Sequence, residues 1–316
     1  MPSYTNRTAT PNSIVHKDTT LLPYAALMAA VCFWGGSFVA TRAAVKVMHP
    51  QGVMLCRMII ACLVLLPFAN RLAPSTWKRG DLKLILPMVA LQPCLYFLFE
   101  SNALKLTTAS QAGVISAFVP LLVGVGAWAF LSEKLSHKTA FGLILSLGGV
   151  AILTASGKAE APGDNPLLGN SLEMLAMTCA AGNMLIVKQL TSRYSPWTLT
   201  GMQCLTGLVF FSPGIRYLAT VPGGIFHASV MIPLVFLGVF ASVGAFGLYN
   251  WAMSRLPANQ ASAFINLVPV VAVVLGWGIL GETLAPLQIA GAVIVGAGVV
   301  LSQTAAVSAH NDRRTG

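Results

Sequence analysis

The sequence predicts an all-α polytopic membrane protein: ten transmembrane helices arranged as two inverted five-helix repeats. Three observations predict it. Only 9% of the 316 residues are charged and 56% are hydrophobic. Ordinary soluble domains carry about 25% charged residues, so this chain cannot coat a globular surface with charge. The apolar residues come in long runs, and about 20 residues at about 1.5 Å rise span a hydrocarbon layer of about 30 Å. Finally, AFVPLLVGVGAWAFLSEKL at 117–135 returns 149 positions later as NLVPVVAVVLGWGILGETL at 266–284, pairing Pro120 with Pro269, Trp128 with Trp277 and Glu133 with Glu282.

Charges, prolines and loop residues bound the spans at about 22–45, 51–69, 82–104, 107–130, 137–156, 168–190, 197–217, 231–253, 259–280 and 284–306. Residues 1–20, rich in Thr, Ser, Asn and Pro, read as a disordered cytoplasmic N-terminus. The first apolar run is too long for a cleaved signal peptide and lacks a small-x-small cleavage site. Span one carries Phe33 and Trp34 before a flexible Gly35-Gly36-Ser37, span two carries Arg57, and span three Glu100. Pro120 and Pro269 fall near mid-depth in spans four and nine, and span six holds Glu173 and a break at Gly182-Asn183.

The offset of 149 also pairs Ala103 with Ala252, Gln111 with Gln260, Gly142 with Gly291 and Gly149 with Gly298, so spans three to five match spans eight to ten. In the earlier spans the offset is 146, pairing Gly36 with Gly182, Arg42 with Lys188 and Pro50 with Pro196. The repeats cover 21–156 and 168–306, with a linker at 157–167 and a tail at 307–316. Five spans per repeat is an odd number, so the second copy enters the membrane from the opposite side. Such inversion builds a substrate site between the halves near mid-depth. With the N-terminus inside, 13 Lys and Arg fall in cytoplasmic segments and five outside. That bias places both termini in the cytoplasm, in a plasma (inner) membrane.

Two copies of P-x₇-W-x₄-E-x-L, each after an Ala-Ser-rich segment and before a Gly-spaced span, resemble the paired EamA domains of the drug/metabolite transporter superfamily. The resemblance runs from about residue 22 to 305 and is closest to YddG-type amino-acid exporters. It implies ten helices, a central cavity and export of metabolites such as aromatic and other amino acids.

The candidate substrate-binding residues are Phe33, Trp34, Gln92, Tyr96, Asn183, Gln203, Tyr249, Asn250 and Asn266. A buried amide wants partners, so it bonds either a neighbouring helix or a substrate amine or carboxylate. A mid-membrane indole is packed core or a cavity wall with a donor. The candidate hinges are Pro120, Pro269, Gly35, Gly36 and Gly182. The prolines lack an N–H, which frees the carbonyls of Ser116 and Ile265 and allows either a structural kink or a hinge. Gly182 also suits close helix packing. Arg57 and Glu100 form a possible charge pair, or snorkel outward. Trp128 and Trp277 read as interfacial anchors. Glu133 and Glu282 are placed to stabilise the start of the helix that follows each.

The net charge of +10 is scattered between apolar runs, which gives no nucleic-acid face. The six cysteines lie inside apolar segments without CxxC spacing, and the five histidines in loops or tails, so neither metal nor cofactor is expected. A phosphate carrier needs several basic groups near mid-depth, and a carrier of lipophilic cations a deep acid in span one; the sequence has neither. No nucleophile with its base is visible, so an enzyme is not expected, and no ring of charge suggests a channel. The expected partners are the lipid bilayer and a small-molecule substrate, amino acids first and other amphiphilic metabolites next. The expected functional unit is a monomer.

Overall fold

The computed structural model describes residues 21–72, 79–131, 137–156, 165–190, 193–253 and 264–315, and the described residues contain helices and no strand. Expectations for residues 1–20, Glu133 and most of the linker lie outside them, as do the side chains of Trp128, Lys188 and Asn250. Ten spans follow in order: α1 Leu22–Val47, α2 Pro50–Leu65, α3 Leu82–Leu106, α4 Ala109–Ser116 with Val119–Leu131, α5 His137–Ala155, α6 Pro166–Leu190, α7 Pro196–Phe210, α8 Ala228–Tyr249, α9 Val268–Leu280 and α10 Pro286–Thr315. Five of these (α1, α2 with its extension to Phe68, α3, α4 to Gly126, and α8) are long and apolar enough by themselves to cross a membrane. The others are more polar or have shorter apolar lengths, and pack alongside. Pro50, Pro166, Pro196 and Pro286 open their helices, where the missing N–H costs no helical bond. The seventh span, expected to reach 217, ends as α-helix at Phe210. Pro213 and Gly214 lie in the tighter turn Ser212–Thr220 that follows.

The second repeat is inverted. Arg42, near the end of α1, donates to the carbonyls of Leu104 and Lys105 at the end of α3, so these two helices end on one face, called here the His49 face. The start of α6 lies there too, because Asn165 N–H donates to Leu106 and Gly169 packs on Thr107. At the opposite face, near Asp81, the start of α1 clusters with the helical continuation of α8 to Met253 through Ala26, Leu27 and Ala252. The first helix of each repeat thus starts beside the end of the other repeat's partner helix, on opposite faces.

The packing obeys one pseudo-two-fold exchange, α1 with α6, α2 with α7, α3 with α8, α4 with α9 and α5 with α10. The interface α1–α8 is matched by α6–α3, α1–α9 by α6–α4, and α2–α8 by α7–α3, while α4–α9 and α5–α10 map onto themselves. The α5–α10 crossing shows it atom by atom. Gly149 faces the Gly291 carbonyl and Gly298 faces the Gly142 carbonyl, so the two contacts exchange under the repeat offset. A Cβ on Gly149 would stand 2.7 Å from that carbonyl oxygen, and only hydrogen lets the backbones approach so closely.

Four helices are interrupted, at paired positions. In α3, residues 90–95 widen into a π turn with Gln92 extended (φ −143°, ψ 120°), and α8 widens over Phe236–Gly244. Such turns free backbone groups and recur at functional sites. In α4 the helix stops at Ser116 and resumes at Val119, and in α9 it resumes at Val268 after a turn at Asn266–Leu267. Pro120 and Pro269 each sit just after the break, in the first turn of the resumed helix. Gly35 and Gly36 do not interrupt α1, nor does Gly182 interrupt α6. They are packing sites: a Cβ on Gly35 would meet the Val271 side chain at 2.6 Å, one on Gly36 would meet Phe236 at 2.9 Å, and one on Gly182 would meet Leu91 at 3.1 Å.

Candidate functional site

The break in α3 assembles the site. Gln92 leaves helical geometry, and its backbone carbonyl meets a side chain of a neighbouring helix. Gln203 of α7 donates to that carbonyl at 3.0 Å and to Oδ1 of Asn183 at 3.1 Å, while Asn183 of α6 donates to Oε1 of Gln92 at 2.9 Å. Three amides from three helices and both repeats therefore close into one network.

Beside it lies a void of about 20 Å³ lined by Gln92, Gln203, Thr200, Ser242, Phe97 and Phe246 among others. Since about 10–15 Å³ holds a water, the void takes a single small molecule of that size. Phe246 carries one wall outward to Trp34, whose ring meets Phe246 at 5.4 Å and Tyr249 at 5.2 Å. Phe33 packs instead on Phe236 and Phe240, at 6.2 and 5.3 Å, one layer away.

On the other side of the void stands a charge cluster. Arg57 Nε donates to Ser242 Oγ at 2.8 Å, its guanidinium lies 4.0 Å over the Phe97 ring, and its NH1 is 3.8 Å from Glu100 Oε2. Tyr96 donates to Glu100 Oε1 at 2.5 Å. Arg57 and Glu100 are paired and fully buried, so neither snorkels to an interface. Glu173 of α6 is also fully buried, within electrostatic reach of Glu100, and neither of its oxygens has a hydrogen-bond partner.

Two expectations are corrected. Asn266 does not join the other amides: it sits at the α9 break facing a separate cleft of about 730 Å³ between α4, α9 and α10. Val270, Val293 and Trp277 on the rim of that cleft are more than half exposed, so it opens sideways. Glu282 does not serve α10, the helix that follows it. Gly281, in the left-handed conformation (φ 69°), ends α9 and turns the chain back. Glu282 then accepts from the N–H of Ala109 and Ser110 at 2.9 Å each, and from Ser110 Oγ at 2.8 Å, capping α4.

Residues missed in the sequence include Asn170 and Arg42. Asn170 joins Thr107, Gln111 and Thr154 in a buried network on the His49 face. Arg42, one of the five cations counted outside, is fully buried against the end of α3. Its pairing with Lys188 in the repeat was the available signal that it belongs to a helix end.

The fold, the inverted pairing and the seam between halves define a membrane transporter built from two like segments. The chain belongs to the EamA-like transporter family, whose pattern matches residues 21–155 and again 167–304. It is similar to the uncharacterized transporter YcxC of Bacillus subtilis, 28% identical over 84% of this chain and 88% of that one. It is also similar to the protein named "Probable terminal-alkyne amino-acid exporter" of Streptantibioticus cattleyicolor, 25% identical over 87% of this chain and 91% of the relative. A crystal structure 16% identical in sequence superposes with a TM-score of 0.61, covering 89% of this chain and 97% of the other, which supports the fold.

Proposed function

We propose that this transporter exports amino acids, aromatic ones included, across the plasma membrane by alternating access, with both termini in the cytoplasm and a single chain as the working unit. The observation that carries the reading is the convergence of Gln92, Asn183 and Gln203 at the seam between repeats. Amide N–H groups can meet a carboxylate and amide oxygens an ammonium. Thr200 and Ser242 add hydroxyls, while Phe97, Phe246 and Trp34 offer faces for an apolar side chain. The relative named as an amino-acid exporter supports the same substrate class.

The water-sized void cannot hold an amino acid, so this is a closed conformation and the amides must part for substrate to enter. They hold one another here as substrate would hold them, which keeps the polar groups satisfied while the site is empty. The paired breaks in α4 and α9 supply the points about which the ends of those helices swing. The wide cleft beside α10 is left to lipid chains, because its rim is apolar and exposed.

The test is counterflow of radiolabelled tryptophan, methionine and threonine into liposomes holding the purified protein. Saturable exchange of at least one, weakened in Gln203→Ala chiefly through a raised KM, is expected. Failure of all three with folded protein overturns the substrate class. The second reading, a carrier of other amphiphilic metabolites, then takes its place.

A further inference from the structure

We infer that Glu173 is a proton-binding site that couples transport to the proton gradient, an inference that rests on the transport reading for its use and on this chain's geometry for its existence. Glu173 lies seven residues into α6, Glu100 six residues before the end of α3, and Arg57 seven residues into α2. At about 1.5 Å per residue all three stand at one level, about 10 Å below the His49 face, the outer one in the proposed orientation.

Charge at that level does not balance. Arg57 supplies one positive charge and the two glutamates supply two negative ones. Arg57 donates to Ser242 through Nε and faces Glu100, its NH1 standing 3.8 Å from Glu100 Oε2 as an ion pair without a hydrogen bond, and Glu100 also accepts from Tyr96. Among the described residues no cation is placed against Glu173, whose charged neighbour is Glu100. The Glu173 carboxyl is fully buried, and both oxygens lack a donor. The other helices against α6 do not supply one: α4 carries no ionisable residue in its described length, and those of α5, His137 and Lys138, lie at its opposite end. Among the described residues, Glu100 and Tyr96 on α3 face it, with Arg57 behind them.

A bare carboxylate in such a place is expensive, whereas one bound proton converts it to a neutral acid and balances the cluster. The step is simple association, carboxylate plus proton giving carboxylic acid, with no bond made elsewhere. In this closed conformation the acid form is held. When the seam opens toward the outer water, substrate leaves and the carboxylate takes up a proton there; when it opens toward the cytoplasm, the acid releases that proton as the next substrate binds, so each cycle carries one proton inward and one substrate outward. Because α6 also bears Asn183, ten residues further on, movement of one helix serves the proton and the amide network together.

Two measurements test this and fail separately. Infrared difference spectra of the wild-type protein without substrate, taken over a pH series, should show a titrating C=O stretch of a buried, weakly hydrogen-bonded carboxylic acid. The band should be lost in Glu173→Gln and kept in Glu173→Asp. Absence of any such band in the wild type, or its persistence in Glu173→Gln, overturns the proton site whether or not amino acids move. In liposomes, a pH gradient should drive accumulation of the counterflow substrate in the wild type. Glu173→Gln should lose that accumulation while keeping exchange within twofold. Wild-type exchange indifferent to the gradient overturns the coupling and leaves the transport reading standing. A titrating band without movement of any amino acid removes the substrate class and leaves the proton site.

Discussion

Replacing Glu282 by alanine should destabilise the protein through a helix that is distant in sequence. The carboxylate accepts from three donors of the α4 start, two backbone N–H groups at 2.9 Å and the Ser110 hydroxyl at 2.8 Å, and it is almost fully buried. Loss of an N-terminal cap costs about 1 kcal/mol, and each buried donor left without a partner about 1–3 kcal/mol. The Ser110 hydroxyl can rotate to a backbone carbonyl, so two stranded N–H groups set the scale. Together they set the loss at about 2–6 kcal/mol, far outside the spread of about 0.5 kcal/mol for ordinary surface changes. Glu282→Gln keeps one carbonyl oxygen but turns an NH₂ toward the other donors, so it should lose about half as much.

The assay is equilibrium unfolding in mixed micelles, followed by circular dichroism, with Thr283→Ala as the exposed neighbour that should change nothing. If Glu282→Ala unfolds within about 0.5 kcal/mol of the wild type, the cap is not a stabilising contact and the reasoning fails.

Three further outcomes are expected. Gly35→Ala should lower the thermal midpoint clearly, because its Cβ would press to 2.6 Å of Val271 and 3.1 Å of the Ala272 nitrogen; unchanged thermal unfolding would refute the packing role. Asn183→Ala and Gln203→Ala should be non-additive in KM, since each removes the other's partner, with a coupling of about 0.5–3 kcal/mol in a double-mutant cycle. His49, at the start of α2, accepts from Gln51 N–H through Nδ1 and stacks on Tyr217 at 3.7 Å. Burial, then Lys105 and Arg216, hold its pKa below the ordinary value of about 6.5. A depressed folded value means that its stabilising share is present above about pH 6.5 and lost as pH falls through the folded value. Stability of the wild type should therefore drop on acidification in that window, and His49→Asn, which keeps a capping oxygen, should flatten the drop.

Much of the fold was legible because its strongest signals are periodic or duplicated. Apolar runs mark spans without any knowledge of packing, and the repeat of Pro, Trp and Glu at one spacing fixes both the duplication and, by the odd count, the inversion. The amides Gln92, Asn183 and Gln203 were legible individually, since a polar group at membrane depth needs a partner. Their meeting was not read, because it depends on the α3 break at Gln92, for which Pro87 and Pro93 inside the span were the available signal. The glycines also misled. Gly35-Gly36 reads as flexible in one dimension, yet the approach of Val271 and Phe236 from helices some 200 residues away decides its role. Glu282 misled because Gly281 reverses the chain, carrying the acid past its own next helix to the start of α4.

The duplication also explains how one scaffold holds two kinds of polar group. Under the offset of 146 that pairs Pro50 with Pro196, Gln203 is the counterpart of Arg57. Each reaches across the seam to the interrupted helix of the other repeat: Gln203 to the carbonyl of Gln92 in α3, Arg57 to Ser242 in the wide turn of α8. The position is thus built to address a helix break, and the side chain decides what is offered there. On one side it is a neutral amide network that can exchange partners with a zwitterion at little electrostatic cost. On the other it is a charge, which demands acids around it. Those acids are not duplicated: the counterpart of Glu100 is Tyr249 and that of Glu173 is Leu27. Symmetry in the backbone allows the two halves to exchange conformations. In the proposed cycle, the asymmetry of these few side chains is what separates a group for substrate from a group for protons.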